Sequence, residues 1–210
     1  LTKEAYEKAV ALLKLDTYSW QLKAKEEFNT ITKGAIHRYA YLKNVVNVVG
    51  DFIANSKNVR NSYCLVNAEN IKNAYFGVNT MKDSQDLILV GKIEECYEFM
   101  DGGRGASKIV FSFGCGGSTK GSYYSDNCRG CSDCFGCVGL NKKQYCILNK
   151  QYSKEEYENL ASKIKRHMDK MPYVDKKGRV FKYGEFFPSE LSPFAYNETI
   201  AQEYFPLTKE

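Results

Sequence analysis

The chain has 210 residues, 43% of them apolar, and a net charge of +5. That length holds one large domain or two small ones, and the apolar and charged shares are those of a globular protein, not of a disordered one. The modest, spread-out charge permits an anionic partner without demanding one, and no apolar run approaches the ~20 residues that a membrane-spanning helix needs.

No signal peptide is visible, and a start at Leu1 in place of Met reads as the start of a fragment. Eight cysteines are many for this length. A secreted disulfide scaffold is the usual answer for chains too small to build a core, which this one is not. The expectation is reduced thiols in the cytoplasm, as small buried residues, metal ligands or both.

Residues 1–42 read as a helical N-terminal cap. Thr2 can cap a first helix that lines Tyr6, Ala9, Val10 and Leu13 along one face. Ser19 can cap a second, with Trp20, Ala24, Phe28 and Ile31 at helical spacing and Gly34 just past its end. From about residue 43 helical periodicity stops. Residues 58–67, Asn-Val-Arg-Asn-Ser-Tyr-Cys-Leu-Val-Asn, are answered twelve positions later by residues 70–79, Asn-Ile-Lys-Asn-Ala-Tyr-Phe-Gly-Val-Asn. A repeat this short cannot bury its apolar side alone, so it must stack on its neighbours as a solenoid.

The fold class is therefore a short-repeat, parallel β-helix-like β-solenoid over residues 43–150, with α-helices at both ends, α+β overall. Asn suits its corners because it tolerates left-handed backbone angles, and stacked Asn side chains can bond up a ladder. Lys43–Asn47 reads as an earlier copy of Lys57–Asn61. Tyr63, Tyr75, Ile88, Tyr97, Phe113, Tyr123, Phe135 and Tyr145 read as one inward ladder. Its uneven spacing places insertions at residues 101–105 and 114–117. One phrase is either a whole coil of a narrow solenoid or one side of a wider one.

Residues 151–210 form a third region. Ser153 and Glu156 make a capping box, followed by Tyr157, Leu160, Ile164 and Met168 at helical spacing as far as Pro172. Residues 173–183 read as a hairpin turning at Lys176-Lys177-Gly178. Residues 184–210 read as an extended aromatic arm packed on something else.

The phrases at residues 135–140 (Phe-Gly-Cys-Val-Gly-Leu), 143–157, 55–62, 184–188 and 191–199 resemble a large family of Cys-rich hypothetical proteins from candidate-phyla-radiation bacteria. The resemblance spans roughly residues 40–207. It implies no activity. Similar proteins often carry Cys-pair, zinc-ribbon-like segments outside this central region, which this chain lacks at both ends, as a fragment or shortened member would.

The sharpest chemical signal is Cys128, Cys131, Cys134 and Cys137, four thiols at a three-residue step. Structural zinc usually takes two separated Cys pairs, so four thiols in ten residues wrap a tetrahedron poorly. The spacing only partly matches an iron–sulfur run. Interior packing is the leading expectation. Zinc, with Cys115 or Cys146 helping, comes second, and an iron–sulfur cluster comes third.

Gly114-Cys115-Gly116-Gly117-Ser118 reads as a corner in preference to an anion cradle, since it lacks a P-loop ending. The Tyr and Phe ladder could stack on bases, but its repeat period favours the interior. Lys163, Arg166 and Lys170, extended by Lys176, Lys177, Arg179 and Lys182, form a basic stripe able to meet phosphates or simply to face solvent. His37 and His167 stand apart, each expected on a surface. Asp83, Asp86, Glu94, Glu95, Glu98 and Asp101 would have to converge in a groove to make a sugar-cleaving site.

Repetition without a catalytic constellation makes a non-enzymatic scaffold or macromolecule-binding module the leading expectation, with nucleic acid or protein as partner and no membrane. A zinc or iron–sulfur metalloprotein is the second reading. A carbohydrate-active β-helix enzyme is the third.

Overall fold

In a computed structural model of the chain, which describes residues 1–13, 15 and 17–207, the repeat region is built on a three-residue rhythm. Asn55, Asn58, Asn61, Cys64 and Asn67 all have left-handed backbone angles, with φ between 47° and 58°. The residue after each one points inward, so that Ser56, Val59, Ser62, Leu65 and Ala68 are buried. The residue after that points out. Four such triplets close one turn. Val59 then lies beside Ile71, and Tyr63 beside Tyr75, in parallel register. The twelve-residue phrase is thus one whole coil of a narrow, four-walled solenoid.

Left-handed angles cost a non-glycine residue roughly 1–2 kcal/mol, least for Asn and Asp. The stacked corners offset this with a side-chain ladder. Asn47 donates to Asn58, Asn58 to Asn70 and Asn70 to Asp83, at spacings of 11, 12 and 13 residues. The neighbouring corner repeats the device through Asn61, Asn73 and Asp86. Followed through Glu95, Lys108, Gly121, Asp133 and Tyr145, the first corner counts eight turns. The long strands β1 (Leu42–Val66), β2 (Ala68–Glu94) and β3 (Tyr97–Phe113) wind around corners. The short strands β4 (Lys120–Tyr123), β5 (Ser132–Phe135) and β6 (Gln144–Ile147) continue the parallel sheet, and β7 (Lys150–Gln151) folds back antiparallel on β6.

The bore mixes aliphatic side chains such as Leu65, Ile71 and Leu87 with Gly, Ala, Ser and Cys, and the smaller residues have two uses. Four inward side chains share each turn, so a large one needs a gap opposite. Phe99 fills the space at Gly102, where a Cβ would overlap its ring, and Met81 does the same at Gly77. Inward hydroxyls also relay backbone bonds. Ser62 donates to the Arg60 carbonyl at 2.8 Å and accepts the Ala74 N–H at 3.1 Å, one turn on. Ser56, Ser84, Ser112 and Ser125 each bond in the same two directions. A buried hydroxyl with both bonds made carries no desolvation debt.

Two expectations are corrected here and one is met. The aromatic ladder is not interior: Tyr63, Tyr75, Ile88 and Phe113 are 51%, 56%, 44% and 37% exposed. Those residues follow the inward position, and a bore shared by four side chains per turn has no room for a column of Tyr. Asn44 and Asn47 pair with Asn55 and Asn58, so residues 43–47 stack on 54–58 and not on 57–61. The insertion at 101–105 is real, because Gly91 pairs with Gly103 but Ile93 with Ala106. The one at 114–117 is real too, since four positions separate the inward Cys115 and Thr119.

The first 39 residues form a unit of their own. Its helices are α1 (Lys3–Leu12), capped by Thr2 as expected, and α2 (Tyr18–Gly34), capped by Thr17. Ser19 is therefore inside α2, and Gly34 is its last residue. Neither helix buries a residue among those described.

After the solenoid, α3 (Lys154–Lys170) starts with the expected Ser153–Glu156 capping box. The hairpin pairs β8 (Tyr173–Val174) with β9 (Val180–Phe181) and closes with a Gly178 N–H bond to the Asp175 carbonyl. The arm is not extended throughout. It makes single turns at Ser189–Leu191 and Tyr196–Glu198 and a short helix, α4 (Ala201–Tyr204). Positions 208–210 lie outside the described residues.

Candidate functional site

The four walls differ in what their outward columns carry, and each column follows from the register. One wall reads Arg60, Lys72, Gln85, Tyr97, Val110, Tyr123, Phe135 and Ile147. Its second half is covered. Helix α3 lays Tyr157, Ala161, Leu160, Ile164 and Met168 over those rings, and the start of the arm adds Tyr183 and Phe186. The helix runs back along the solenoid, from Tyr157 against Tyr145 at 5.9 Å to the Lys165 ammonium 4.2 Å from the Tyr123 ring centre.

Tyr124, at the adjoining corner, stacks on Phe111 at 4.7 Å and meets Phe187 edge-on, and its hydroxyl accepts the Gly184 N–H at 3.1 Å. Burial pushes its pKa up to about 12. Glu98, two turns earlier on the same corner, has one carboxylate oxygen buried without a partner. Burial first, and then the charges of Asp86 and Glu185, raise its pKa.

The next wall reads Tyr63, Tyr75, Ile88, Met100, Phe113, Asp126 and Val138. Nothing among the described residues of 40–207 covers its first half. Phe52, Phe76 and Leu89, at the corner beyond, extend the exposed apolar surface, and Val66 and Val78 carry it around that corner. Exposed patches of this kind on a soluble protein mark contact surfaces.

The third wall continues from Val66 and Val78 into Gly91, Gly103 and Gly116, then Arg129 and Asn141. These glycines have a local cause at two positions. A Cβ on Gly91 would press on the Val78 carbonyl, and one on Gly103 on the Gly91 carbonyl. The consequence is a floor of bare backbone. Two adjoining depressions run along it, sharing Asp101, Gly102 and Arg104. Phe76 and Leu89 stand on one side, Lys92 and Arg104 on the other, and Arg129 at the far end. The fourth wall alternates charges, with Lys57 bridging Glu69 at 3.7 Å.

The thiols that the sequence singled out occupy the bore. Cys128, Cys131, Cys134 and Cys137 are the four inward residues of a single turn, with Cys115 one turn before Cys128 and Cys146 the ladder partner of Cys134. All eight cysteines are free. Each thiol of that turn donates to the carbonyl two residues back, as the inward serines do, at 3.4–3.6 Å. Hydrogen bonding to a neighbouring thiol, and then burial, raise the pKa of Cys128 and Cys134. Cys115 and Cys137, which receive those bonds, are the more easily ionised of each pair. Among the described residues no three His, Cys, Asp or Glu side chains are grouped to hold a metal ion. The expectation of interior packing holds for these cysteines, and the three-residue step is the step of the coil.

The residues of the basic stripe differ in what they are engaged with. Lys163, Arg166 and Lys170 are exposed on α3, and Lys176 and Lys177 are exposed in the hairpin turn. Arg179 is spent on the buried Asp175, with 2.6 Å from Nε to Oδ2. Burial works against that carboxylate, but the Arg179 donors more than offset it and lower its pKa. Lys165, which the sequence did not single out, sits between the Tyr123 and Tyr183 rings.

The six candidate carboxylates are spread over three corners and one wall. Asp83 and Asp86 accept from Asn70 and Asn73, and Glu95 pairs with Lys108 at 3.7 Å, so corner ladders absorb them. The Gly114–Ser118 segment takes in two corners, with left-handed angles at Gly114 and again at Gly117 and Ser118, and the short wall between them. His37 and His167 are both exposed. No helix is long and apolar enough to cross a membrane.

The signal missed in the sequence is Lys92, Arg104 and Arg129, which lie too far apart along the chain to read as a group. The turn period would have aligned Lys92 with Arg104. No family model matches the chain, and no curated protein matches it.

Proposed function

We propose that the protein is a non-enzymatic binding module that holds a macromolecule against its solenoid. The observation that carries this reading is the uncovered apolar wall of Tyr63, Tyr75 and Ile88, with Phe76 and Leu89 at its edge. The same chain spends a helix and an arm on covering the comparable wall beside it. The engagement of Asp83, Asp86 and Glu95 in corner ladders, and of the thiols with backbone carbonyls, gives those groups structural work in place of chemistry. Eight free thiols support a reducing, cytoplasmic setting.

The test is capture from a cell extract, with nuclease and protease arms that identify the class of partner. The wild-type chain is compared with Tyr75→Glu/Ile88→Glu, two changes at exposed positions. The variant is expected to lose the specific partner while keeping its fold. Equal capture by both chains sinks the reading.

A further inference from the structure

We infer that the glycine-floored groove beside the apolar wall is a binding site for single-stranded nucleic acid, an inference that rests on the reading above. The groove has two unlike sides. Phe76 and Leu89, at one corner, present flat or apolar surface, and Lys92 and Arg104, at the opposite corner, present positive charge on successive turns. Arg129 closes the far end of the groove from the floor column itself, where it follows Gly103 and Gly116. Among the described residues none of these three cations pairs with a carboxylate, and Asp101 is the carboxylate that lines the groove, so positive charge is in surplus. The floor carries no side chains at Gly91, Gly103 and Gly116, which leaves the space between the sides open.

A ligand that fits must repeat along the solenoid axis, with an anionic edge toward Lys92, Arg104 and Arg129 and a flat apolar edge toward Phe76. An unpaired nucleic acid strand has that cross-section, with phosphates on one side and base faces on the other. A duplex keeps its base faces stacked inside and presents phosphates, sugars and base edges, with no flat face for Phe76. The corner itself adds an argument. In earlier turns it is held by Asn44, Asn55, Asn67 and Asn79, the residue that the backbone angle favours, and from Lys92 onward cations replace it at two successive turns despite φ of 51° and 58°.

The same angle supplies a clean variant. Lys92→Asn/Arg104→Asn restores the residue used in the four preceding turns, so the fold is kept or strengthened, and Arg129→Gln completes a charge-removed chain. Binding of fluorescein-labelled oligothymidine and oligouridine is followed by anisotropy over a series of salt concentrations, with a blunt DNA duplex as comparison. The wild-type chain is expected to bind single strands more tightly than duplex. The triple variant is expected to lose about ten-fold or more, with the salt slope falling by about 0.7 for each phosphate contact removed. Phe76→Ala is expected to weaken binding about five-fold or more without changing the slope. Lys163→Ala/Arg166→Ala/Lys170→Ala on α3 is expected to bind as wild type.

The inference is overturned if the wild-type chain binds no oligonucleotide at low salt, if duplex binds as well as single strand, or if the α3 variant carries the loss. Such a result leaves the binding-module reading standing as long as capture still depends on Tyr75 and Ile88. Loss of that dependence is the separate failure of the reading itself.

Discussion

Two walls of one solenoid carry similar outward columns and meet opposite fates. Tyr97, Val110, Tyr123, Phe135 and Ile147 lie under α3 and the arm, while Tyr63, Tyr75, Ile88 and Phe113 face solvent. The backbone treats both columns alike, since both occupy the position after an inward residue. Their difference lies in what the chain places on top. A narrow coil needs only its bore to fold. Its outer columns are free for other uses, and here one is used for stability and the other left open.

Four measurements can break or sharpen that contrast. The largest effect is expected at Tyr124, which joins four aromatic neighbours and the arm backbone. Tyr124→Ala should cost about 3–5 kcal/mol in chemical denaturation. A cost near zero would mean that the helix and arm are decoration. Ser153→Ala removes the cap that starts α3, and should cost about 1 kcal/mol while loosening protection of the whole helix in hydrogen exchange.

The third measurement is pH. Glu98 has a raised folded-state pKa, so the folded form holds its proton more tightly than the unfolded form. Its contribution is fully present below the ordinary carboxylate range and falls as pH rises through the raised value. Arm protection should decline over that window, and Glu98→Gln should flatten the decline. The smallest effect is expected at Tyr75→Ala, within about 0.5 kcal/mol of wild type, because an uncovered ring contributes little to folding. A cost as large as that of Tyr124 would show that the open wall is covered after all.

Much of the architecture was legible in the sequence. The twelve-residue step gave the coil, and the recurring Asn gave the corners, because few other residues tolerate those angles. What misled was size. The doubled phrase presents Tyr63 and Tyr75 as its most conspicuous apolar residues, yet the bore takes Val59, Ser62, Leu65 and Ala68. Hydrophobicity alone does not reveal that an inward Ser can satisfy itself through the carbonyl two residues back. The clue lay in the cysteines. Cys128, Cys131, Cys134 and Cys137 spell the inward period without interruption, and read as geometry they place every neighbouring side chain.

The candidate groove was harder to see. Lys92 and Arg104 become neighbours only when the turn is closed, and the one-residue insertion just after Arg104, visible as Gly91 facing Gly103 but Ile93 facing Ala106, breaks the simple count onward to Arg129. One cation of the basic stripe read from α3 and the hairpin proved to be engaged, for a matching reason. Charge spacing along the chain does not reveal that Arg179 is engaged by a buried carboxylate.

The three-residue triplet has a consequence for how such a chain can change. Four triplets make a turn, so gaining or losing one triplet leaves the bore intact and advances every later outward side chain by one wall. A Tyr column then moves beneath the helix, or a glycine floor becomes a charged face, without a single substitution. Single-residue insertions have no such effect where they are absorbed as a bulge at a corner, as at Gly105 and Ser118. The solenoid is a dial with four settings, and short insertions and deletions, more than point mutations, are the means by which its surface can be reset.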